Sequence, residues 1–296
     1  MPRGESLLTR AYVDSRSIGR EYDQWTRDGI LEHYWGDHIH HGYYPGGQSG
    51  VGFKAAKVDM IERLLEWGEV GSPRTVLDVG CGIGGSSRHL ARRYDASVLG
   101  VTLSPDQRAR AEELTPPELD ARFEIADAHA LPYEDNRFDL VWACESGEHM
   151  ADKARFVAEM TRVLRPGGVL LVATWCHRNA ERNVLERWLL RRIYREWTLP
   201  HFISISRYQS ILRDLPLVDV RTADWSSEAA PTWWHQIREA LGSLGFLARQ
   251  PLSVLWRSLR DTYAIALMIT GYRTGTIRYG LLRARKQDGA QSEQAP

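Results

Sequence analysis

The chain has 296 residues, 43% hydrophobic and 26% charged, with equal numbers of basic and acidic side chains. This composition is typical of a globular protein, and the zero net charge gives no electrostatic argument for a nucleic-acid partner. The three cysteines, Cys81, Cys144 and Cys176, are too few and too far apart for a disulfide framework or a zinc set, which favours a reducing, cytoplasmic compartment.

The first 70 residues are predicted to form helices and loops, with a glycine-rich connection at 42–52. From residue 75, short apolar runs alternate with helical segments of about 10–15 residues, the pattern of βαβ units in a parallel sheet. Strands are predicted at 75–79, 97–102, 121–126, 138–143 and 168–174, and helices at 86–94, 106–114 and 151–164. Residues 217–222 and 277–285 are further strand candidates.

The predicted fold is therefore α/β: a Rossmann-like sheet of seven mostly parallel strands, with an N-terminal helical lid and an inserted helical cap. The expected boundaries are 1–70 for the lid, 71–222 for the core, 223–275 for the cap, 276–286 for the final strand and 287–296 for a disordered tail. No signal peptide is recognisable, and no run approaches the roughly 20 apolar residues of a transmembrane helix.

A glycine-rich loop at 78–85 joins the first predicted strand to the first helix of the core. Glycines there allow a ligand to approach the backbone, and the helix N-terminus offers N–H groups to a carboxylate or pyrophosphate. Gly80, Gly82 and Gly85 match the G-x-G-x-x-G pattern of dinucleotide-binding proteins. That pattern also has an acid about 20 residues further on, whereas the second strand here ends in Thr102, which argues against a dehydrogenase. A tight turn without a ligand is the other alternative.

Three segments together resemble the class I S-adenosylmethionine-dependent methyltransferases. VLDVGCGIGGSS at 76–87 is similar to motif I of that family. The segment at 126–150 is similar to its adenine-binding turn and fourth strand, and 159–174 to the following helix and fifth strand. The order and spacing of the segments also match, so the resemblance implies S-adenosylmethionine as the cofactor. Its sulfonium methyl is already a strong electrophile, so we expect no metal.

The resemblance assigns cofactor contacts to the loop residues. Asp78 would lie near the amino group of the methionine part, with Gly80, Gly82 and Gly84 allowing close approach of the backbone. Alternatively, Asp78 caps the loop.

Further cofactor contacts follow the next strands. Asp127 and the Ala128 N–H would bind adenine, and Glu145 would line the cofactor near its sulfonium. The alternative for Asp127 is a turn residue without a ligand.

The sequence departs from the common family pattern at Thr102, where many members carry the acid that binds ribose. A subgroup has Thr-Leu-Ser there with a glutamine soon after. Thr102, the backbone of Leu103 and Gln107 would then contact the ribose, although Gln107 is equally well explained as a solvated helix residue.

Other segments resemble the γ-tocopherol C-methyltransferase group more narrowly. They are WGDHIHHGYY at 35–44, ESGEHM at 145–150 and ATWCHR at 173–178, and the likeness extends from about Tyr22 to the final predicted strand. The group also contains plant enzymes that methylate alkaloid nitrogen, so membership leaves the acceptor atom open.

A phenol becomes a good carbon nucleophile only when its hydroxyl proton is removed, so ring methylation requires a general base. His149 follows the fourth strand, at the edge of the sheet where ligands bind in such folds. We therefore predict His149 or its neighbour Glu148 as the catalytic base. The alternative is that His149 only packs beside the cofactor.

A histidine cluster in the predicted lid raises the question of a metal site. His40 and His41 are adjacent and have no cysteine or fourth histidine at ligand spacing, so metal binding is not expected. We instead expect these residues to line the acceptor site, or else to pack in the core. The predicted acceptor-binding residues are His40, His41, Tyr43, Tyr44, Trp175 and His177.

The region 233–286 carries nine basic residues and two acidic ones, and 241–260 mixes arginine with leucine, phenylalanine and tryptophan. This segment could cover an apolar pocket, lie at a membrane surface, or pack as an amphipathic helix with a solvated basic face.

The preferred function is C-methylation of a phenolic ring on an apolar, prenylated, tocopherol-like acceptor, in a cytoplasmic protein with peripheral membrane contact. The alternatives are N-methylation of a hydrophobic amine, C-methylation of a terpenoid alkene, and a non-catalytic cofactor-binding scaffold.

Overall fold

The structure, a computed structural model, describes residues 15–47, 50–242 and 252–288. Its strands are β1 (Thr75–Val79), β2 (Ser97–Thr102), β3 (Ala121–Ile125), β4 (Phe138–Cys144), β5 (Leu164–His177), β6 (Leu217–Asp224) and β7 (Ile277–Lys286). Its helices are α1 (Ser15–Arg27), α2 (Ile30–Trp35), α3 (Phe53–Trp67), α4 (Gly85–Tyr94), α5 (Pro105–Glu113), α6 (Lys153–Val163), α7 (Val184–Glu196), α8 (Ile205–Arg213), α9 (Ser226–Ala229), α10 (Thr232–Gly242) and α11 (Leu252–Arg273).

The seven strands form one sheet in the order β3-β2-β1-β4-β5-β7-β6. Strands β1 to β5 are parallel, and β7 runs antiparallel to both β5 and β6. The prediction of a seven-stranded, mostly parallel α/β sheet is therefore confirmed.

Apolar side chains alternate between the two faces of the sheet, so helices cover both faces. Val76, Leu140 and Leu171 belong to one core cluster, which also takes in side chains of α3 and α7. Leu77 and Leu170, next to them in the chain, belong to the opposite cluster with α6 and α8. Parallel strands that are buried on both faces consist almost entirely of apolar residues, which is why the sequence pattern located them.

Helices α7 and α8 lie between β5 and β6, where the sequence analysis assigned no element. The side chain of Asn183 accepts from the backbone N–H of Glu186, and the Glu186 carboxylate accepts in return from the Asn183 N–H, so a capping box begins α7. Its buried face, Leu189, Leu190 and Ile193, packs into the core.

Helices α9, α10 and α11 occupy the insertion between β6 and β7. Residues 243–251 of the amphipathic segment predicted at 241–260 lie outside the described residues, as do residues 289–296 of the predicted tail. Within the described ranges, no helix is long and apolar enough to cross a membrane.

Candidate active site

A cleft lies at the carboxyl edge of the parallel strands, where the loops that follow β1 to β4 meet. This is the edge at which α/β sheets bind ligands. Counted to its open mouth, the cleft holds about 980 Å³ of unoccupied space. Among the residues predicted to bind the cofactor, those that line it are Asp78, Gly80, Gly82, Thr102, Leu103, Gln107, Asp127, Ala128 and Glu145.

The glycine loop is held close to its neighbours. Gly80 has a φ of 85°, and a Cβ there would overlap the Cβ of Ser146. Only glycine satisfies both the left-handed backbone and the tight contact. Gly82 faces the cleft, whereas Gly84 precedes α4 and lies against the ring of Phe123.

Asp78, at the end of β1, is a buried carboxyl on the cleft wall. The Ser87 hydroxyl donates to its Oδ2 over 2.6 Å. Burial raises the pKa of Asp78 to about 7, against the opposing effect of that hydrogen bond. A buried carboxylate in such a position gains free energy from a cationic ligand group.

Polar groups at the start of α5 form the next part of the wall. The Thr102 hydroxyl donates to the Gln107 side-chain oxygen over 2.8 Å, which leaves the Gln107 amide NH₂ beside Gly82. Ser104 caps α5 by accepting from the Gln107 backbone N–H, and its hydroxyl donates to Asp23 of α1 over 2.5 Å. The structure thus places Thr102 and Gln107 together on the cleft wall.

Asp127 lies at the other side of the cleft, just after β3. Its Oδ1 accepts from the backbone N–H of His129 over 2.9 Å and lies 2.9 Å from the His129 Nδ1. These contacts fix the turn that places Ala128 on the cleft wall.

His149 lines the cleft from a 3-10 turn, Gly147–His149, that follows β4. Its Nε2 is 3.1 Å from the hydroxyl of Tyr22 on α1. Its Nδ1 is buried and has no hydrogen-bond partner among the described residues. Burial, reinforced by the charge of Lys153, lowers the pKa of His149 to about 3, so its imidazole is neutral at physiological pH. Nothing in the sequence indicated the part of Tyr22.

Glu148 lies outside the cleft lining, although it precedes His149. Its side chain is 1% exposed and accepts from the Thr174 hydroxyl over 2.8 Å. Lys153, also buried, donates to the carbonyl oxygens of Gly147 and Glu148 over 2.8 and 3.0 Å. Burial, followed by the charge of Glu145, raises the pKa of Glu148 to about 8, and burial lowers the pKa of Lys153 to about 7. This pair supports the turn that carries His149.

Glu145 joins three parts of the chain at the cleft. Its oxygens accept from the backbone N–H of His41 over 2.5 Å and from the Tyr279 hydroxyl over 2.9 Å. They also accept from the Trp175 indole over 3.1 Å and lie 2.9 Å from the His41 Nδ1. Burial alone would raise the pKa of Glu145, but the neighbouring charge and hydrogen bonds of His41 lower it.

The predicted acceptor-binding residues lie at different depths behind the cleft wall. Only His40 lines the cleft, where its buried Nε2 has no partner among the described residues. His41 and Trp175 lie behind Glu145 in a cluster of aromatic rings. Tyr44 is fully buried and stacks on His235 with ring centroids 4.7 Å apart. The remaining two, Tyr43 and His177, contact Trp225 and Arg182 respectively.

His40, Cys144 and Glu145 bring three potential metal ligands within 4.8 Å of one another. Glu145 already accepts the hydrogen bonds described above. Burial raises the pKa of the Cys144 thiol well above its usual value, which disfavours the thiolate that binds metals. The group is therefore described best as a hydrogen-bonded cluster.

The segment before α3 crosses directly over the glycine loop. A Cβ at Gly85 would overlap the backbone carbonyl of Asp37, so this segment touches the start of α4. A Cβ at Gly19 would lie 2.9 Å from the carbonyl oxygen of Leu103, so α1 contacts the residue that follows β2. Residues before α3 thus form one wall of the cleft.

Comparison with known proteins places this site in a family. Residues 77–172 match a family model described as a methyltransferase domain. The chain is 41% identical over 298 residues to the 2-methyl-6-phytyl-1,4-hydroquinone methyltransferase of Synechocystis, covering 97% of this chain and 92% of that protein. It is 41% identical over 304 residues to the chloroplastic tocopherol O-methyltransferase of Arabidopsis thaliana, covering 96% and 87%.

More distant relatives share the same overall extent. Norajmaline N-methyltransferase of Rauvolfia serpentina is 30% identical, with 92% of this chain and 98% of that protein covered. The crystal structure of a putative sarcosine dimethylglycine methyltransferase from Galdieria sulphuraria has the same fold, with a TM-score of 0.77 at 24% identity over 90% of this chain and 99% of that one.

The residues of the cleft fit S-adenosylmethionine. The buried Asp78 suits a cationic amino group. The glycine loop lines the cleft without side chains, so a ligand can approach its backbone, and the Gln107 side-chain amide lies near the end of β2. S-adenosylmethionine is therefore the cofactor. This chain belongs to the class I S-adenosylmethionine-dependent methyltransferases, together with the tocopherol methyltransferases and the related alkaloid N-methyltransferases.

Proposed function

We propose that this enzyme methylates a ring carbon of an apolar, prenylated phenol. The single observation that carries the proposal is the neutral imidazole of His149, which lines the cleft with a buried Nδ1 that has no partner among the described residues. When bound, S-adenosylmethionine supplies an electrophilic methyl group on its sulfonium. The protein then has to align the acceptor, exclude water and accept a proton.

His149 is the group we propose as the base. In the tautomer with the proton on Nε2, the ring donates to the Tyr22 oxygen, and Nδ1 accepts the phenolic hydroxyl of the acceptor. Loss of that proton raises the electron density of the ring carbons. After methylation, the hydrogen of the methylated carbon leaves as a proton and the phenolic oxygen is protonated again, which restores the aromatic ring. The phenolate and the imidazolium would stabilise each other, which offsets the cost of charging a buried histidine.

Glu148 then acts as a positioning residue rather than as the base. Its carboxyl is hydrogen-bonded to Thr174 in the core, and its backbone carbonyl accepts from Lys153. Both contacts hold the turn on which His149 stands. We therefore favour His149 of the two residues that the sequence singled out.

The cofactor roles predicted from the sequence fit this arrangement. Asp78 would pair with the amino group of the methionine part, beside Gly80, Gly82 and Gly84. Glu145, whose pKa is lowered, would present negative charge towards the sulfonium.

The nucleoside would lie along the other wall. Thr102, Leu103 and Gln107 would contact the ribose, and Asp127 with the Ala128 N–H would contact adenine. Residues 15–47 would act as a lid, because their contacts with the glycine loop and with Leu103 close this side of the cleft.

The acceptor would enter beside His40, the predicted acceptor residue that lines the cleft. We assign His41 and Trp175 to the support of Glu145, and Tyr43, Tyr44 and His177 to packing against Trp225, His235 and Arg182 respectively. The names of the two relatives at 41% identity refer to a phytyl hydroquinone and a tocopherol, which are apolar phenols of the proposed class. Contact of residues 241–260 with a membrane and the absence of a nucleic-acid partner remain predictions.

The test is an acceptor screen with methyl-labelled S-adenosylmethionine in detergent. It sets phytyl hydroquinones and γ- and δ-tocopherol against hydrophobic amines and prenyl substrates, and locates the label by mass spectrometry. We expect label on a ring carbon, and a loss of at least about a hundredfold in kcat in His149→Ala. Label on nitrogen, on the phenolic oxygen or on an alkene would overturn the proposed acceptor atom.

A further inference from the structure

The outer face of α7 begins with three exposed apolar side chains. Val184, Leu185 and Trp188 are 68%, 75% and 54% exposed. Their spacing along the helix places them next to one another, within the first two turns after Asn183. Single exposed apolar residues are common on protein surfaces, but a contiguous group indicates a contact surface.

Arginines continue the same face towards the end of the helix. Arg187, Arg191 and Arg195 are exposed and follow one another at intervals of four residues, so they project on one side. Within the described part of the chain, none of the three forms an ion pair with a carboxylate. Arg187 and Arg191 each donate one hydrogen bond to a backbone carbonyl, that of Arg182 and that of Arg187 respectively, and their other guanidinium N–H groups are available to an external anion.

The acidic residues of α7 do not neutralise this face. Glu186 is buried and pairs with Arg178, and the Glu196 side chain is 11% exposed and lies 3.8 Å from Arg192. The exposed side of the helix therefore carries one sign of charge.

The helix is also firmly attached to the protein. Its inner face, Leu189, Leu190 and Ile193, is buried in the core, and the capping box fixes its first turn. The exposed face thus has a fixed position and orientation on the molecule. It spans about 16 Å from Val184 to Arg195 at the usual helical rise.

We propose that this face of α7 docks the enzyme on an anionic lipid bilayer. Arginine binds phosphate oxygens in bidentate fashion, tryptophan favours the bilayer interface, and valine and leucine enter the acyl boundary. Nucleic acid would use the arginines but offers no apolar phase for Val184 and Leu185. The proposed surface consists of residues of α7 and not of residues 241–260, for which membrane contact was predicted from the sequence, and the inference holds whichever acceptor atom is methylated.

The test is flotation of the full chain with vesicles of phosphatidylglycerol and phosphatidylcholine, or of phosphatidylcholine alone. We expect binding to the anionic vesicles that weakens with salt. Each arginine near an anionic surface contributes about fivefold to partitioning, so the triple variant R187Q/R191Q/R195Q should bind about a hundredfold less. The variant L185S/W188S should bind about tenfold less, because it removes the apolar insertion.

The matched control is R122Q/R207Q/R213Q, which removes three exposed arginines from β3 and α8. Helix α8 packs on the opposite face of the sheet from α7. We expect this control to keep binding within about twofold. Circular dichroism and activity on a detergent-dispersed acceptor check that all three variants are folded.

Three outcomes would overturn the proposal. The wild-type chain could fail to float with anionic vesicles. The control triple could lose as much binding as the α7 triple, which would assign binding to overall charge. Finally, light scattering could reveal a dimer that L185S/W188S converts to a monomer, which would assign this face to self-association.

Discussion

The hydroxyl of Tyr22 lies 3.1 Å from Nε2 of His149, although 127 positions separate the two residues in the chain. Their rings meet edge to face, with centroids 5.5 Å apart, and both line the cleft. Burial, followed by the charges of Glu148 and Glu145, raises the pKa of Tyr22, so its phenol stays protonated. The contact fixes the orientation of the imidazole between α1 and the turn after β4.

Tyr22→Phe removes this hydrogen bond but keeps the ring. We expect kcat to fall about tenfold, because the imidazole loses its orienting partner, while the cofactor Kd changes by less than about twofold. Steady-state kinetics and calorimetry measure the two quantities. Tyr34→Phe is the matched control, since the Tyr34 hydroxyl is buried without a partner among the described residues and should be dispensable. Equal kcat values for Tyr22→Phe and the wild type would contradict the orienting role.

Lys153→Met removes the ammonium that holds the carbonyls of Gly147 and Glu148. The turn that carries His149 should loosen, so we expect kcat to fall about tenfold or more with little change in cofactor Kd. Lys153→Arg keeps a cationic donor and should recover part of the activity. A parallel loss of cofactor affinity in Lys153→Met would mean that the lysine supports the whole cleft instead.

Glu148→Gln tests the buried carboxyl beneath the turn. The unfolded chain ionises this group near its usual pKa of 4.5, whereas the folded protein keeps the proton until about pH 8. Its contribution to stability is therefore fully present below pH 4.5 and is lost as the pH rises towards 8.

Glutamine stays neutral, so the variant should avoid that loss. Between pH 5 and pH 8 we expect the unfolding free energy of the wild type to fall by about 3 to 4 kcal/mol more than that of the variant. Urea denaturation at several pH values measures the difference. Parallel pH profiles would show that Glu148 titrates normally.

Asp78 offers a test of cofactor binding through pH. Its pKa is raised to about 7 by burial, and only the ionised form attracts a cationic amino group. We expect affinity for S-adenosylhomocysteine to rise about tenfold per pH unit below pH 7 and to level off above it.

Two variants separate the effect of the Asp78 charge on cofactor affinity from the effect of the Ser87 hydrogen bond on the pKa of Asp78. Asp78→Asn should bind about a hundredfold more weakly at pH 8 and lose the pH dependence. Ser87→Ala keeps the carboxyl but removes a hydrogen bond that lowers the pKa of Asp78. The pH above which the affinity levels off should therefore be higher in this variant. Calorimetric titration measures all three proteins, and a pH-independent wild type would exclude Asp78 as the partner of the amino group.

Gly80→Ala would force a side chain into a left-handed backbone position against Ser146. We expect a loss of about 3 kcal/mol in stability, together with weaker cofactor binding. Gly71→Ala is the control, because a Cβ at Gly71 meets no atom within 4 Å. Thermal unfolding of both variants, with and without cofactor, makes the comparison. Similar effects of the two substitutions would contradict the close packing of the loop.

The sequence predicted the parts of the site that depend on strand ends. Continuous apolar runs located β1 and β4. Asp78 lies near the end of β1 and Glu145 directly follows β4, so these strand assignments place both residues at the carboxyl edge of the sheet. Long-range neighbours were beyond this reasoning. No local pattern on α1 indicates that Tyr22 will meet His149, because that contact depends on how the helix lies across the sheet.

The direction of a side chain in a tight turn could not be predicted from the sequence either. Glu148 and His149 are adjacent, so no sequence pattern could distinguish which of them is the base. In the 3-10 turn one side chain enters the core against Thr174, and the other enters the cleft. Helices α7 and α8 were not predicted, although their buried residues recur at helical spacing: Leu189, Leu190 and Ile193 in α7, and Tyr208, Ile211 and Leu212 in α8.

The position of β7 has a consequence for biosynthesis. This strand is made after β6, yet it lies between β5 and β6 and pairs with both. While the ribosome is still making α11, β6 has no partner strand, and the edge of β5 is open to other chains. The last strand also carries Tyr279, which donates to Glu145. A nascent chain therefore completes its sheet and the hydrogen bonding of Glu145 in the same late step.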